Sequence, residues 1–390
     1  MRTSDDKRAA RARRFAAWSR VFACVLAAVL IAGLGCRPRW SPDGKRLVYA
    51  AREGKQHIIA EHDFEQGRSR TLVELQTADG AADIIWDKSG NQWVVVSADG
   101  GDDNTVNIFT HDQTGKQKER HQIKVGGRNI GCLLQEPTIV DGNVFLTGNA
   151  IIRVDLKSGE ATKHARSGIA AFPLGDDLGY VSKMGSHWSI GELDPKTLEA
   201  TPWVEQPEGC EWQILPHPRF NDSRTRCAVV ATQGLQAPRV GQRANKLSAL
   251  KWAILILEQN ELISTIELEG ELSAGPIAWI DEVTICATVM RPGKVFDTFA
   301  MIETDFSGNV RRETAILKVP VDEKMVKNGG FAYALNMPFF MQPAPSPDGK
   351  IIAFTTAKLP RLSADRAGLL LLHRNKQRSV ERLKFGSSDK

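Results

Sequence analysis

The sequence lacks the short motifs by which most enzymes and metal proteins are recognised. It has no nucleophile elbow, no HExxH motif and no glycine-rich phosphate loop. No CxxC motif or Cys/His cluster has the spacing of a zinc site, and the eight histidines are scattered along the chain. These absences predict no catalytic residue, no cofactor and no metal site, and we expect a protein that is not an enzyme.

The part of the chain that we expect to fold has no excess of charge of either sign. The net charge is +5, and the seven basic and two acidic residues among residues 1–20 account for all of it. A nucleic-acid-binding domain would keep a basic excess on its folded surface. The charge distribution therefore excludes nucleic acid as a partner.

Charge is also missing from residues 21–36, which are apolar and end in small residues. A basic run followed by about 15 uncharged residues is typical of a secretory signal, and it is short for a bilayer-spanning helix. We expect residues 1–36 to direct export and residues 37–390 to form a single domain. The run Gly33-Leu34-Gly35-Cys36 is similar to a bacterial lipoprotein box, which implies acylation of Cys36. The alternatives are cleavage beside an unmodified Cys36 and retention of the segment as a short membrane anchor.

Helical periodicity is almost absent after the signal segment, and short apolar strands separated by turn residues replace it. The clearest unit is a turn followed by an alternating strand, and it occurs twice. In both copies Pro pre-sets φ at the second position of a type I turn, and Gly accepts the exit conformation. The turn residues are Ser41, Pro42, Asp43 and Gly44 in the first copy, and Ser346, Pro347, Asp348 and Gly349 in the second.

Weaker copies of this turn-strand unit lie between the two, and each is followed by a strand, a polar turn and a return strand. This alternation predicts four strands per repeat, the signature of a β-propeller blade. We predict an all-β propeller with seven four-stranded blades, and six or eight blades are the alternatives because the spacing is uneven. Both ends hold complete units, so the first and last blades should meet by side-chain packing. The turn-strand units are 40–49, 86–97, 137–147, 172–182, 216–231, 278–287 and 345–354.

The two complete turns, Trp40-Ser-Pro-Asp-Gly-Lys45 and Pro345-Ser-Pro-Asp-Gly-Lys350, resemble the WD-repeat-like units of TolB-type bacterial propellers. The resemblance implies a propeller that commonly serves as a protein-binding scaffold, and it carries no catalytic residues. We therefore expect an exported, membrane-associated scaffold on the periplasmic or cell-surface side that binds a protein or cell-envelope component. The alternative is a propeller enzyme, a lyase or a glycan hydrolase, with carboxylates that converge on the central channel.

Two further sets of residues are candidate sites. Cys210 and Cys227 flank one predicted strand-turn-strand and are candidates for a disulfide in an exported chain, with buried free thiols as the alternative. A long segment within one repeat carries basic residues and no acid, which suits an acidic partner or a lipid headgroup; a solvated loop is the alternative. The basic residues of this segment are Arg239, Arg243, Lys246 and Lys251.

Overall fold

In the computed structural model, the chain forms seven antiparallel sheets, and each contains four consecutive strands of the sequence or, in one case, five. Each sheet is one blade of a propeller, and in six of the seven blades every strand pairs with the next. The structure describes residues 37–53, 56–74, 82–87, 92–98, 102, 104–125, 136–148, 150–164, 169–184, 187–215, 217–233, 251–268, 273–291, 293, 295–321, 341–355, 368–375 and 379–383.

The first four blades each consist of four strands in sequence order. Their second and third strands are rich in β-branched and aromatic residues, which favour the pleated, buried surface of a sheet. The strands are β1 (Arg39–Trp40), β2 (Arg46–Glu53), β3 (Gln56–Asp63) and β4 (Arg68–Glu74); β5 (Ala82–Trp86), β6 (Gln92–Ala98), β7 (Thr105–Asp112) and β8 (Gln117–Lys124); β9 (Thr138–Val140), β10 (Asn143–Thr147), β11 (Ile151–Asp155) and β12 (Ala161–His164); and β13 (Ile169–Leu174), β14 (Asp177–Met184), β15 (His187–Leu193) and β16 (Ala200–Glu205).

Blade 5 differs from the others because its first strand is divided into two short pieces, and both pieces pair with the same second strand. Blades 6 and 7 return to four strands each. The strands are β17 (Gln213–Ile214), β18 (Arg219–Phe220), β19 (Cys227–Gln233), β20 (Lys251–Glu258) and β21 (Glu261–Glu267); β22 (Ser273–Trp279), β23 (Thr284–Arg291), β24 (Phe296–Asp305) and β25 (Val310–Pro320); and β26 (Ala344–Pro345), β27 (Ile351–Thr355), β28 (Leu369–His373) and β29 (Ser379–Leu383).

The hydrophobic core is divided among the contacts between neighbouring blades. Seven buried apolar clusters are present, and each one joins residues of two adjacent blades. One of them joins blade 1 to blade 7, with Leu47 and Tyr49 packed against Ala353 and Leu371. Because every blade is covered on both sides, the seven blades form a closed ring. The prediction of a seven-bladed all-β propeller is confirmed.

The ring closes without a strand that is shared between the first and last blades. Blade 1 contains β1 to β4 and blade 7 contains β26 to β29, so both sheets are complete on their own. Two polar contacts accompany the apolar packing at this interface. The indole Nε1 of Trp40 donates to the Ala344 carbonyl at 2.8 Å, and the Thr355 hydroxyl donates to the Ala50 carbonyl at 3.1 Å. Side chains thus close the ring, as the sequence predicted.

The contact made by Trp40 recurs elsewhere in the ring. Trp86, the last residue of β5, donates its Nε1 to the carbonyl of Arg39 at 3.2 Å, and Trp279, the last residue of β22, donates to the carbonyl of Arg219 at 2.8 Å. In each case a tryptophan that ends a first strand binds the first strand of the preceding blade. These bonds fix the spacing of neighbouring first strands around the axis.

The two Ser-Pro-Asp-Gly turns have the same hydrogen-bond pattern. The amide of Gly44 donates to the Ser41 carbonyl at 2.8 Å, and the amide of Gly349 donates to the Ser346 carbonyl at 2.8 Å. Both glycines have a positive φ, 70° and 65°, which a side chain would resist. Each turn therefore connects a first strand to a second strand in the same way at opposite ends of the sequence.

We predict that Trp40→Phe weakens the closure between blades 1 and 7. The substitution removes one buried hydrogen bond, so the free energy of unfolding should fall by about 1 kcal/mol. Hydrogen exchange should accelerate mainly in β1, β2, β26 and β27. The matched control is Trp279→Phe, which loses the same bond between blades 5 and 6 and should accelerate exchange there instead. Identical exchange patterns in the two variants would contradict the prediction.

Candidate functional site in the central channel

The first strands of the blades line the axis of the ring. Neighbouring first strands contact one another, as β1 does with both β5 and β26. Glu136 lies two residues before the first strand of blade 3, and its side chain forms ion pairs with Arg39 of blade 1 and Arg219 of blade 5. Neither of those blades adjoins blade 3, so these contacts cross the axis. The channel therefore contains a cluster of charged residues drawn from distant parts of the chain.

The cluster follows the register of the repeat. Arg37, Asp83 and His217 each lie three residues before the last residue of their first strand, namely Trp40, Trp86 and Phe220. The last residues are themselves equivalent, since each pairs with the residue seven positions further along the chain. Alternate residues of a strand face the same side. Arg39 and Arg219, two positions after Arg37 and His217, lie in the channel because both form ion pairs with Glu136 across the axis.

The divided first strand of blade 5 positions His217. The pieces β17 and β18 are separated by Leu215, Pro216, His217 and Pro218, and Pro216 lies outside the described residues. Proline has no amide hydrogen to donate, so it interrupts the ladder of a sheet. The His217 amide donates to the Leu215 carbonyl at 2.8 Å and makes a tight local turn. The imidazole is half-buried and lies within the electrostatic influence of Arg219, Glu136 and Arg37.

Glu136 is the centre of the charge cluster. Its side chain is only 7% exposed and forms ion pairs with three arginines. Arg39 and Arg219 make close contacts with opposite oxygens of the carboxylate, and Arg37 Nη1 lies 3.8 Å from Oε1. Burial by itself would raise the pKa of this carboxyl, but the three guanidinium groups outweigh burial and hold the pKa far below its usual range. Glu136 is therefore an anion at neutral pH.

The pKa values of the other titratable groups in the channel are shifted in different directions. Burial raises the pKa of Asp83, and the charge of Glu136 adds to this rise, although Arg39 Nη2 lies 3.5 Å from its carboxylate. Burial, together with the charge of Arg219, lowers the pKa of His217 to about 4, so the imidazole is neutral at pH 7. Burial and the charge of Arg219 also lower the pKa of Arg37 to about 9. Opposed shifts in one site are typical of acid–base catalysts.

Metal ligands and membrane-spanning helices were also sought in the described part of the chain. Within it, no group of three or more His, Cys, Asp or Glu side chains is arranged to hold a metal ion. Over the same ranges, no helix has both the length and the apolar character needed to cross a bilayer.

A second concave region lies at the ends of the first strands of blades 2 and 3. It is a groove of about 630 Å³ on the face of the ring that carries the turns between first and second strands, and it spans blades 2, 3 and 4. Its charged lining mixes both signs and includes no histidine. Because the buried, convergent titratable groups lie in the channel, we take the channel as the functional site. The charged groove residues are Asp87, Lys118, Glu119, Asp141, Lys157 and Asp176.

The candidate residues taken from the sequence do not gather at the channel. Cys36, Arg239, Arg243 and Lys246 lie outside the described residues. Lys251 is the exposed first residue of β20. The two Ser-Pro-Asp-Gly turns lie on the face of the ring where first strands connect to second strands, and they position the strands that line the channel.

The candidate disulfide is not formed. Cys210 and Cys227 are both free thiols in the structure, and so is Cys286. Cys227 is fully buried in β19 within the core between blades 4 and 5, whereas Cys210 lies half-buried before β17 at the edge of the same cluster. Burial raises the pKa of the Cys227 thiol and of the Cys286 thiol. These cysteines act as small apolar side chains, the alternative that the sequence left open.

The channel residues were missed because they form no contiguous motif. A usable signal was nevertheless present in the sequence, immediately before the turns. The first unit reads Arg37-Pro-Arg-Trp40 and the fifth reads His217-Pro-Arg-Phe220. The shared Pro-Arg dipeptide before an aromatic residue identifies the same structural position in two blades. A comparison of the residues that precede each turn would have found Arg37, Arg39, His217 and Arg219. It would have missed the other two channel residues, Asp83 and Glu136.

Comparison with known proteins yields structural similarity alone. No protein-family model and no curated protein matches the chain. Two solved propellers, each described as a "putative 6-phosphogluconolactonase", are similar to it. The protein from Bacteroides fragilis has 12% identity and a TM-score of 0.52 over 87% of this chain and 93% of its own. The protein from Bacteroides uniformis has 12% identity and a TM-score of 0.50 over 86% and 94%. TolB from Acinetobacter baumannii gives 13% identity and 0.44 over 70% and 64%.

These similarities show the propeller fold, and they contradict the prediction that the chain is not an enzyme. That prediction relied on missing motifs and on a resemblance to scaffold propellers. The two Bacteroides propellers share the fold over nearly the whole chain and are described as enzymes. In this fold, the absence of a short motif is weak evidence against an enzyme, because separate blades supply the channel residues. The argument from scaffold propellers therefore fails.

We predict that Glu136→Gln destabilises the protein by about 3 kcal/mol at pH 7, because three buried guanidinium groups lose their shared carboxylate. The matched control is Glu313→Gln. Glu313 is 35% exposed and pairs with the partly exposed Arg291, so its loss should cost at most about 1 kcal/mol. Denaturant unfolding at pH 7 measures both. Equal losses in the two variants would contradict the assignment of Glu136 as the centre of the cluster.

The cost of Glu136→Gln should also depend on pH. The folded-state pKa of Glu136 lies below its value in the unfolded chain, so its stabilisation is complete above about pH 4.3, the ordinary glutamate value. The stabilisation is lost as the pH falls toward the folded-state pKa. The difference in stability between the wild type and the variant should therefore shrink below that pH. A difference that grows on acidification would contradict this sign.

Proposed function

We propose that the chain is a propeller enzyme that carries out acid–base chemistry in its central channel. The observation that supports this most is the convergence of two carboxyl groups, one histidine and three arginines on one axis. An apolar or simply water-filled channel would have favoured a binding scaffold. A buried charge cluster is costly to the fold, and perturbed titratable groups concentrate at functional sites.

In this proposal His217 is the general base and Asp83 is the general acid. A neutral imidazole accepts a proton at pH 7, and the lowered pKa of His217 keeps it neutral down to about pH 4. The raised pKa of Asp83 favours a protonated carboxyl, which donates a proton to a leaving oxygen. Both residues lie three positions before the last residue of their first strands, so they occur at equivalent positions of blades 2 and 5.

The environment of Glu136 favours a lyase over a glycan hydrolase. A glycoside hydrolase needs two carboxyl groups, one as the acid and one as a nucleophile or base. Both oxygens of Glu136 lie in ion pairs with arginines, which stabilise its negative charge and make it a weak acid, base or nucleophile. A lyase needs a base that removes a carbon-bound proton and an acid that protonates the departing oxygen. His217 and Asp83 supply these two groups.

A second candidate reaction is the hydrolysis of a sugar lactone. The two Bacteroides propellers of similar shape are described by that activity. In this reaction His217 would activate a water molecule, and an arginine would stabilise the negative oxygen of the intermediate. The same channel residues serve both reactions, and the product distinguishes them.

We predict that His217→Gln lowers kcat about 100-fold or more, the usual contribution of a positioned base. Substrates are a polyuronate, whose cleavage by a lyase gives an ultraviolet-absorbing double bond, and 6-phosphogluconolactone, whose hydrolysis releases acid. The control is His187→Gln, since His187 is an exposed residue of blade 4. In the wild type, kcat/KM should fall below about pH 4 as His217 is protonated. Turnover of neither substrate, or equal loss in both variants, would contradict the proposal.

We also propose that residues 1–36 export the chain and that Cys36 is acylated and anchors it to a bacterial membrane. The basic run, the apolar run and the small residues before Cys36 support this proposal. Export would expose the ring to the periplasmic or cell-surface side. The single domain over residues 37–390 and the protein or envelope partner stay predictions from the sequence.

Acylation is tested with Cys36→Ser in the full chain. The variant should move from the membrane fraction to the soluble fraction after cell lysis, because a lipid chain supplies the membrane affinity. The control is Cys210→Ser, which removes a half-buried thiol in the ring and should sediment with the wild type. Unchanged sedimentation of Cys36→Ser would contradict the lipid anchor.

A further inference from the structure

Among the described residues, two arginines of the channel each retain a buried donor that has no hydrogen-bond partner. Arg39 directs Nη2 to Glu136 and Asp83, and Arg219 directs Nη2 to Glu136 and Nη1 to the Pro218 carbonyl at 3.3 Å. The Nε atoms of both arginines are buried and have no hydrogen-bond partner among the described residues. Leaving a charged donor unpaired in the interior costs about 1–3 kcal/mol.

The charges of the cluster do not balance. The guanidinium groups of Arg37, Arg39 and Arg219 surround Glu136, which is the one carboxylate that they share. Asp83, the second acid, is biased toward its neutral form by burial and by Glu136, which raise its pKa. Arg37 makes only a 3.8 Å contact with Glu136. Among the described residues, three guanidinium groups of the channel face two carboxyl groups, so positive charge is in excess and another anion would reduce the repulsion among the guanidinium groups.

The geometry of a guanidinium group indicates which anion fits. Nε and a terminal nitrogen form a planar fork that matches two oxygens of a carboxylate or a phosphate. In both arginines the terminal nitrogen Nη2 already binds Glu136, and Nε is a buried donor without a hydrogen-bond partner among the described residues. A ligand with two or more negatively charged oxygens is suited to join two such donors, whereas chloride is a single acceptor.

We propose that the channel binds an oxyanion, a carboxylate or a phosphate group, through Nε of Arg39 and Nε of Arg219. This inference rests on the proposed function, and it makes the substrate of the proposed enzyme a sugar acid or a sugar phosphate. The anionic group is held beside His217, which lies two residues before Arg219 on the same strand edge. Neutralising the carboxylate of a sugar acid also acidifies the neighbouring C–H bond, which a lyase base must break.

The test observes the two donors directly. The full chain is labelled with [15N]arginine, and the Nε–H signals of Arg39 and Arg219 are assigned by their loss in Arg39→Lys and Arg219→Lys. Inorganic phosphate and malonate are added separately at constant ionic strength, with chloride as the reference anion. Both signals should shift with one common Kd for phosphate, for malonate or for both. The anion that binds more tightly identifies the substrate as a phosphate or a carboxylate.

The lysine variants keep the charge and remove Nε, so each should weaken anion binding about tenfold, the equivalent of 1.4 kcal/mol. The matched control is Arg224→Lys, in which the arginine lies on the same blade and pairs with Asp177 outside the channel. That variant should bind anions as the wild type does. Equal weakening in all three variants, or no shift of either signal in the wild type, would overturn the proposal.

Two further results separate this inference from the proposed enzyme activity. If a lysine variant does not fold, slower exchange of the two Nε–H groups in the anion-bound wild type still tests the contact. His217→Gln should retain anion binding, because the imidazole is not one of the two donors. Anion binding without activity would support this inference and contradict the enzyme, whereas activity without anion binding would overturn this inference alone.

Discussion

Each blade of this ring has two apolar faces, and only a neighbouring blade can cover them. The seven buried clusters between blades meet this requirement, including the one that joins blade 7 to blade 1. Once the blades pack side by side, their first strands must surround an axis. Side chains on one side of those first strands then lie in the channel. The site is thus a consequence of how apolar faces are covered.

Within the channel, side chains of the same chemical type have pKa values that are shifted in opposite directions. Glu136 and Asp83 are both buried carboxyl groups near Arg39, yet the pKa of one is lowered and that of the other is raised. The difference arises because Glu136 contacts three guanidinium groups and Asp83 contacts one. Burial of these groups strengthens each of these interactions. The positions of the arginines therefore decide which carboxyl remains an anion.

The sequence was informative wherever structure follows from neighbouring residues. Alternating strands, the turns around Pro42 and Pro347, the blade number and closure by side chains were all predictable, because each depends on local spacing. The channel was not predictable in this way, since Glu136 meets Arg39 and Arg219 only after the ring closes. The candidate disulfide failed for a related reason. Spacing along the chain does not reveal that Cys227 is a core residue of β19.

In blade 5, the strands that pack the blade are different from the segment that carries His217. The long strands β19 and β20 supply the packing of that blade, while His217 stands between two short pieces that contribute little to the sheet. Substitutions at this position can accumulate during evolution without loss of the ring. Related chains could therefore diversify their reactions by exchanging one short proline-bounded segment, and the scaffold would be inherited unchanged.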